Sequence, residues 1–151
     1  MHGLKILALV LGALILVPTG AHLLEITHKI SMERDTYFAV QRIYTGWALS
    51  SIVIIAAVVV DLVLFLMLRT QEPTAAFSAL ASAALIGVGL AVFFIRVYPA
   101  NVATANWTMQ PAGWETLRRQ WEYGHVAIAI VTFAAFVAIA FSAVGRSTPR
   151  S

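Results

Sequence analysis

Residues 99–125 read PANVATANWTMQPAGWETLRRQWEYGH, a polar and aromatic stretch set between two long apolar runs. Three of the chain's four tryptophans (Trp107, Trp114 and Trp121) lie in it, together with Asn101, Asn106, Glu115, Arg118, Arg119, Glu122 and His125. Its second half has the pattern of a helix. Pro111 suits a first helical position, where a missing N–H costs nothing, and Glu115 suits the positive first turns. At about 100° per residue, Trp114, Arg118, Trp121 and His125 fall on one stripe, with Glu122 beside it. That stripe continues without a break into the apolar segment 126–144. The expectation is a helix that enters a membrane with a polar, aromatic face at one end.

The composition agrees. Of 151 residues, 60% are hydrophobic and 11% charged, where a soluble domain carries about a quarter charged residues. The chain reads as one integral membrane domain spanning 1–151, all-α. It has no cysteine, so disulfides, thiolate catalysis and Cys-held clusters are excluded. The net charge of +3 comes without a basic run, which points away from nucleic acid and toward the lipid bilayer as partner.

Outward from the central stretch, three more runs approach the roughly 20 residues needed to cross a bilayer. The first, about 4–28, competes with a signal-peptide reading, because Lys5 precedes the apolar run and Thr19-Gly20-Ala21 resembles a cleavage site. The polar cluster after Ala21 continues the helical pattern, so a retained transmembrane helix is expected, with an irregularity near Pro18 and Gly20. Residues 29–46 are too polar to span, and part of them is expected along the interface before a second helix, about 37–69. The third helix, about 75–97, follows the turn Gln71-Glu72-Pro73-Thr74, and its Ala79, Ala81, Ala83, Ala84, Gly87 and Gly89 permit close approach. The fourth, about 111–145, ends at Gly145 before a basic tail, 146–151. The expected architecture is therefore a four-helix integral membrane bundle with a polar, aromatic cap at one face. Its termini and the 70–74 turn share the other face. Lys and Arg are divided between the two sides without a clear bias. The expectation leans to cytoplasmic termini in a plasma (inner) membrane.

All four tryptophans (Trp47, Trp107, Trp114, Trp121) and all four tyrosines (Tyr37, Tyr44, Tyr98, Tyr123) fall on the non-terminal side. An asymmetric anchoring belt would explain the rings, but not why His22, His28, His125, Gln41, Asn101 and Asn106 collect at the same end. Glu25 and His28 form E-x-x-H, and Glu122 and His125 repeat the spacing on the fourth helix. In soluble four-helix carboxylate proteins this spacing supplies metal ligands. His22, Glu25, His28, Glu122 and His125 are therefore candidate ligands for iron, copper or zinc. The plainer alternative is an ion-pair and hydrogen-bond network: Glu25 with Lys29 or Arg118, and Glu122 with Arg118. Asp61 stands apart in VVVDLVLF, about 20 Å along the helix from Trp47. A structural role, hydrogen-bonded to a serine or threonine of a neighbouring helix, is favoured there over a proton relay.

The segments GAHLLEITHK, QRIYTGW, PANVATANW and WETLRRQWEYGH resemble the anthrone-oxygenase-like family of small four-helix membrane proteins, over nearly the whole chain. The resemblance implies oxidation of an activated ring carbon to a quinone, without flavin or haem. It also implies functional positions at His22, Glu25, Asn101, Asn106, Trp107, Arg118 and His125. The residues themselves suggest one composite pocket for a flat hydrophobic aromatic or quinone-like small-molecule substrate, walled by Tyr44, Trp47, Asn101, Asn106, Trp107, Trp114 and Trp121. His22 or His125 would be the general base, and Arg118 or Lys29 would stabilise the resulting enolate. Glu25 joins His22, Arg118 and His125 in the catalytic set. The alternative from another class is a non-catalytic ligand-binding or accessory membrane subunit. Few polar residues run through the helices, which disfavours an ion channel, and homo-oligomerisation is left open.

Overall fold

A computed structural model describes residues 1–144. The helices are α1 (His2–Lys29), α2 (Arg34–Gln41), α3 (Ser51–Leu68), α4 (Pro73–Val92), α5 (Tyr98–Ala103) and α6 (Trp114–Val144). Short 3-10 turns cover Arg42–Tyr44 and Trp47–Ser50, and a π-helical turn, Phe93–Val97, joins α4 to α5. Among the described residues, four helical stretches are long and apolar enough to cross a membrane: His2–Lys29, Trp47–Leu68, Pro73–Ala103 and Trp114–Val144. The expected all-α bundle of four long helices is the observed fold. Gly145 and the tail after it lie outside the described residues.

Each long helix packs against two others, α1 and α4 each lying between α3 and α6, which makes a square bundle. Lys5 Nζ meets Glu72 Oε2 at 2.8 Å, tying the start of α1 to the α3–α4 turn. Ile139 of α6 packs with Ala8, Leu64, Leu68, Ala75, Ala76 and Ala79, so the end of α6 lies there too. Small side chains fill this end, and they let the backbones approach closely. Outward-facing Val17, Leu24, Leu49 and Phe141 are each about 70% exposed or more. An apolar surface all round a bundle is what lipid contact demands.

Local structure departs from the sequence expectation at four places, each with an identifiable cause. α1 runs unbroken through Pro18, as proline is tolerated inside membrane-spanning helices; the adjacent Thr19 hydroxyl bonds back to the Ile15 carbonyl at 3.0 Å and so keeps its own polar group paired. The expected 37–69 helix is two separate pieces, because Gly46 takes φ +87, a left-handed conformation that no helix can pass through. α2 is thereby freed to cap the bundle. The third helix passes its expected end at 97 by way of the π turn. Pro99 then sits in the first turn of α5, where its missing N–H is least costly. α6 begins at Trp114 rather than Pro111: Gly113 has φ +76, and its carbonyl accepts the first helical bond, from Thr116 N–H at 3.0 Å.

Gly124 fixes how closely α6 lies against the π turn. A Cβ there would stand 2.8 Å from Val97 Cγ2 and 3.3 Å from Arg96 Cβ. One turn before it, Gln120 Nε2 donates to the Arg96 carbonyl at 2.7 Å. Together these contacts set the height at which the first turns of α6 meet the end of α1.

Candidate functional site

The centre of the polar end is Lys29, 2% exposed at the last turn of α1. Its ammonium lies 3.0 Å from Glu122 Oε1, 2.9 Å from the Tyr44 hydroxyl and 3.3 Å from Gln41 Oε1. Those contacts use its three N–H donors. Glu25 Oε2 is 3.9 Å away, and the ammonium also lies 4.5 Å from the ring centres of Tyr44 and Trp121. Glu122 is fully buried; its Oε1 accepts from the Tyr37 hydroxyl at 2.9 Å, which in turn accepts from Gln41 Nε2 at 2.6 Å. The Tyr44 hydroxyl donates to the Glu25 carboxylate. Burial, reinforced by Glu122, pushes the Tyr37 phenol far above its ordinary range, so it remains a donor. Burial and the Glu25 carboxylate do the same for Tyr44.

Against this network lie two imidazoles. His22 of α1 and His125 of α6 stack with ring centres 3.9 Å apart and planes 27° apart. Trp121 meets both edge-on, at 5.1 and 4.2 Å. Tyr44 lies 4.7 Å and Trp47 5.6 Å from the His22 ring. His22 is 5% exposed and its Nδ1 has no hydrogen-bond partner; Glu122 Oε2 has none either. Buried polar atoms are normally paired, so an orphan on a buried imidazole is informative.

The 98–113 connection supplies the roof. Asn101 Oδ1 accepts two indole N–H groups, from Trp107 at 3.1 Å and Trp121 at 2.9 Å. Ala105, Asn106 and Trp107 hold φ of 47, 55 and 64, a left-handed turn that costs non-glycine residues about 1–2 kcal/mol each. The turn is held by Asn106 N–H on the Asn101 carbonyl (2.7 Å) and Trp107 N–H on Thr104 Oγ1 (3.0 Å). It is held also by burial of the Trp107 indole edge-on to Tyr37 and Phe38.

The expected site residues thus separate into two compartments. His22, Glu25, Glu122, His125, Tyr44, Trp47 and Trp121 come together on the inner side. Arg118, 8% exposed, lies on the other side of Tyr37: its Nη1 donates to the Met32 carbonyl at 2.7 Å, and its guanidinium covers the rings of Trp114 and Tyr37 at 4.5 and 5.5 Å. It lines an open hollow of about 550 Å³ with Met32, Arg34, Trp114 and Glu115. The single pocket expected from sequence is therefore divided by the Lys29–Glu122–Tyr37 layer. Asn101 and Trp107 brace that layer. Asn106 is exposed and contributes its backbone; His28, about 100° round α1 from the buried Lys29, is exposed.

The five residues expected as metal ligands do not form a ligand set. His28 is outside, and Glu25 and Glu122 both face the Lys29 ammonium, which provides the cation those carboxylates need. Among the described residues, no three of His, Asp and Glu are placed to hold a metal ion. The ion-pair alternative describes the arrangement better: Glu25 has Lys29, one of its two expected partners, and Glu122 has Lys29 in place of Arg118. Sequence reasoning undervalued Tyr37 and Gln41. Their signal is the spacing Tyr37, Gln41, Tyr44 (i, i+4, i+7), one face of a polar turn-rich segment.

Comparison with protein families, with characterised proteins and with solved structures returns no match.

Proposed function

We propose that the protein is a membrane-embedded oxidoreductase of the oxygenase type, acting on a flat, lipid-soluble aromatic ring at one membrane face. The observation that carries this reading is the buried His22 Nδ1, unpartnered beside the stacked His125 and within a wall of Tyr44, Trp47 and Trp121. Trp47, 37% exposed, gives the wall a side toward lipid. The Lys29 ammonium is already engaged by Glu25 and Glu122, which leaves it unavailable to an anionic ligand and suits a neutral one. In the reaction, His22 takes a proton from an activated ring CH2. The electrons left on carbon pass to dioxygen; one oxygen atom stays as the new carbonyl and the other leaves as water (CH2 + O2 → C=O + H2O). Lys29, with all its donors in use, acts on the developing negative charge through its fixed field rather than by a direct hydrogen bond. No metal is called on. The resemblance of the sequence motifs to the anthrone-oxygenase-like family supports the same substrate class.

The test uses the purified protein in lipid nanodiscs with an anthrone, following dioxygen uptake and quinone absorbance above the spontaneous rate. Wild type should consume one dioxygen per ring, and His22→Ala should fall to background while retaining ring-induced quenching of tryptophan fluorescence. Wild-type turnover by His22→Ala would overturn the assignment. A second reading, a non-catalytic ligand-binding or accessory subunit, is favoured by the complete internal pairing of Lys29; quenching without dioxygen uptake in wild type would establish it. The orientation we propose, independent of either reading and taken from the Lys and Arg distribution, has the aromatic end on the outer face of the plasma membrane and the termini in the cytoplasm. Cysteines introduced at Gln71 and Thr108 should then label from the inside and the outside of sealed vesicles, respectively.

A further inference from the structure

Midway along the bundle, far from the histidines, a second polar spot lies in an otherwise apolar interior. Asp61 of α3 is 2% exposed, with Ser82 of α4 (1%) and Thr132 of α6 (5%) around the same small cavity. The rest of the lining is apolar, including Gly12, Ile15, Phe136 and Ile139. Ser82 hydrogen-bonds the Asp61 side chain, but Asp61 Oδ1 has no partner. A buried carboxyl oxygen without a partner is unfavourable in an apolar medium. No Lys, Arg or His lines the cavity.

The cavity volume is about 10 Å³, measured as room for the centre of a water-sized sphere. That is about the least space that holds one water molecule, which in addition needs two to four polar partners. Three are present, one on each of three helices. An alkali cation of similar size needs a fuller shell of oxygens than one carboxyl and two hydroxyls provide. We propose that this cavity is a binding site for a single water molecule, which pairs with Asp61 Oδ1 and the Ser82 and Thr132 hydroxyls and so links α3, α4 and α6 in the middle of the membrane. The site is independent of the proposed oxidoreductase activity.

The shape of the cavity supports a small occupant. A Cβ at Gly12 would stand 3.1 Å from Phe136 Cδ2, a lining ring, so even one added methyl crowds it. Thr132→Val keeps the shape and removes one partner, whereas Thr132→Ser keeps the hydroxyl and removes a methyl.

The experiment is an experimentally determined structure of the wild-type protein at a resolution that shows ordered water, with the same for both Thr132 variants, and thermal unfolding of all three in lithium, sodium and potassium salts. Expected are one density peak within hydrogen-bonding distance of Asp61 Oδ1 in wild type and Thr132→Ser, its loss in Thr132→Val with a lowered unfolding midpoint, and no dependence on which cation is present. A dry cavity in wild type would overturn the proposal. So would a midpoint raised selectively by one alkali cation and lost in Asp61→Asn, which would make the site an ion site. Should Thr132→Val fail to fold, the wild-type density and the cation series still decide the matter.

Discussion

The two ends of the bundle solve the same problem by opposite means. At the turn end, α1, α3, α4 and α6 meet through Ala8, Ala75, Ala76 and Ala79 with Leu64, Leu68 and Ile139, and the Lys5–Glu72 ion pair sits at the rim. At the other end, the contact is built from Tyr37, Trp107, Trp121, Lys29, Glu122, Gln41 and Asn101. Lipid tails are as apolar as leucine, so the first kind of contact gains by close packing of small residues. The second gains because its polar groups have nowhere else to find partners. The small-residue end sets how near the helices lie. The polar end sets which groups meet, and it is there that an unsatisfied imidazole has been left.

The sharpest way to break this contrast is Glu122→Leu. It leaves the Lys29 ammonium buried without its nearest counter-charge, and the expected loss is about 3–5 kcal/mol of unfolding free energy in mixed micelles. Glu122→Leu with Lys29→Met should recover most of that loss. If the single substitution costs no more than Leu64→Ala at the turn end, the ionic layer is not what holds the polar end. Next in size is Gly124→Ala. The added methyl meets Val97 and Arg96 and must push α6 off the π turn, at about 1–3 kcal/mol. Because α6 carries His125, a spectroscopic distance between labels on α1 and α6 should lengthen at the polar end and stay fixed at the turn end.

Asn101→Ala removes the shared acceptor of two indoles, which should cost about 1–2 kcal/mol and shift tryptophan emission to the red as Trp107 loosens. An unchanged spectrum would mean that the left-handed turn holds Trp107 without Asn101. The smallest effect belongs to the turn end: Lys5→Ala breaks the partly exposed pair with Glu72, and the expected loss is under about 1 kcal/mol. A larger loss there would erase the distinction between the two ends.

Four apolar runs, a short turn between the second and third, and the one-sided distribution of Trp and Tyr were enough to determine an all-α bundle of four long helices with a polar cap. These are local signals, set by hydropathy and by the number of residues a helix needs to cross a bilayer. The meeting of His22 with His125, and of Lys29 with Glu122, was legible only as a shared membrane face. Spacing within one helix gave E-x-x-H twice and suggested metal. It could not reveal that His28 turns outward, or that a lysine's ammonium takes the place between the carboxylates. Those outcomes depend on the rotation of α1 against α6 and on the descent of α2 into the cap. Rotation and descent are fixed in turn by Gly124 against Val97, by the left-handed backbone at Gly46 and Gly113, and by Tyr37 reaching Glu122 from 85 residues away. Such contacts have no period in the sequence. Only the assembled bundle decides which polar groups find partners and which, like His22 Nδ1 and Asp61 Oδ1, do not.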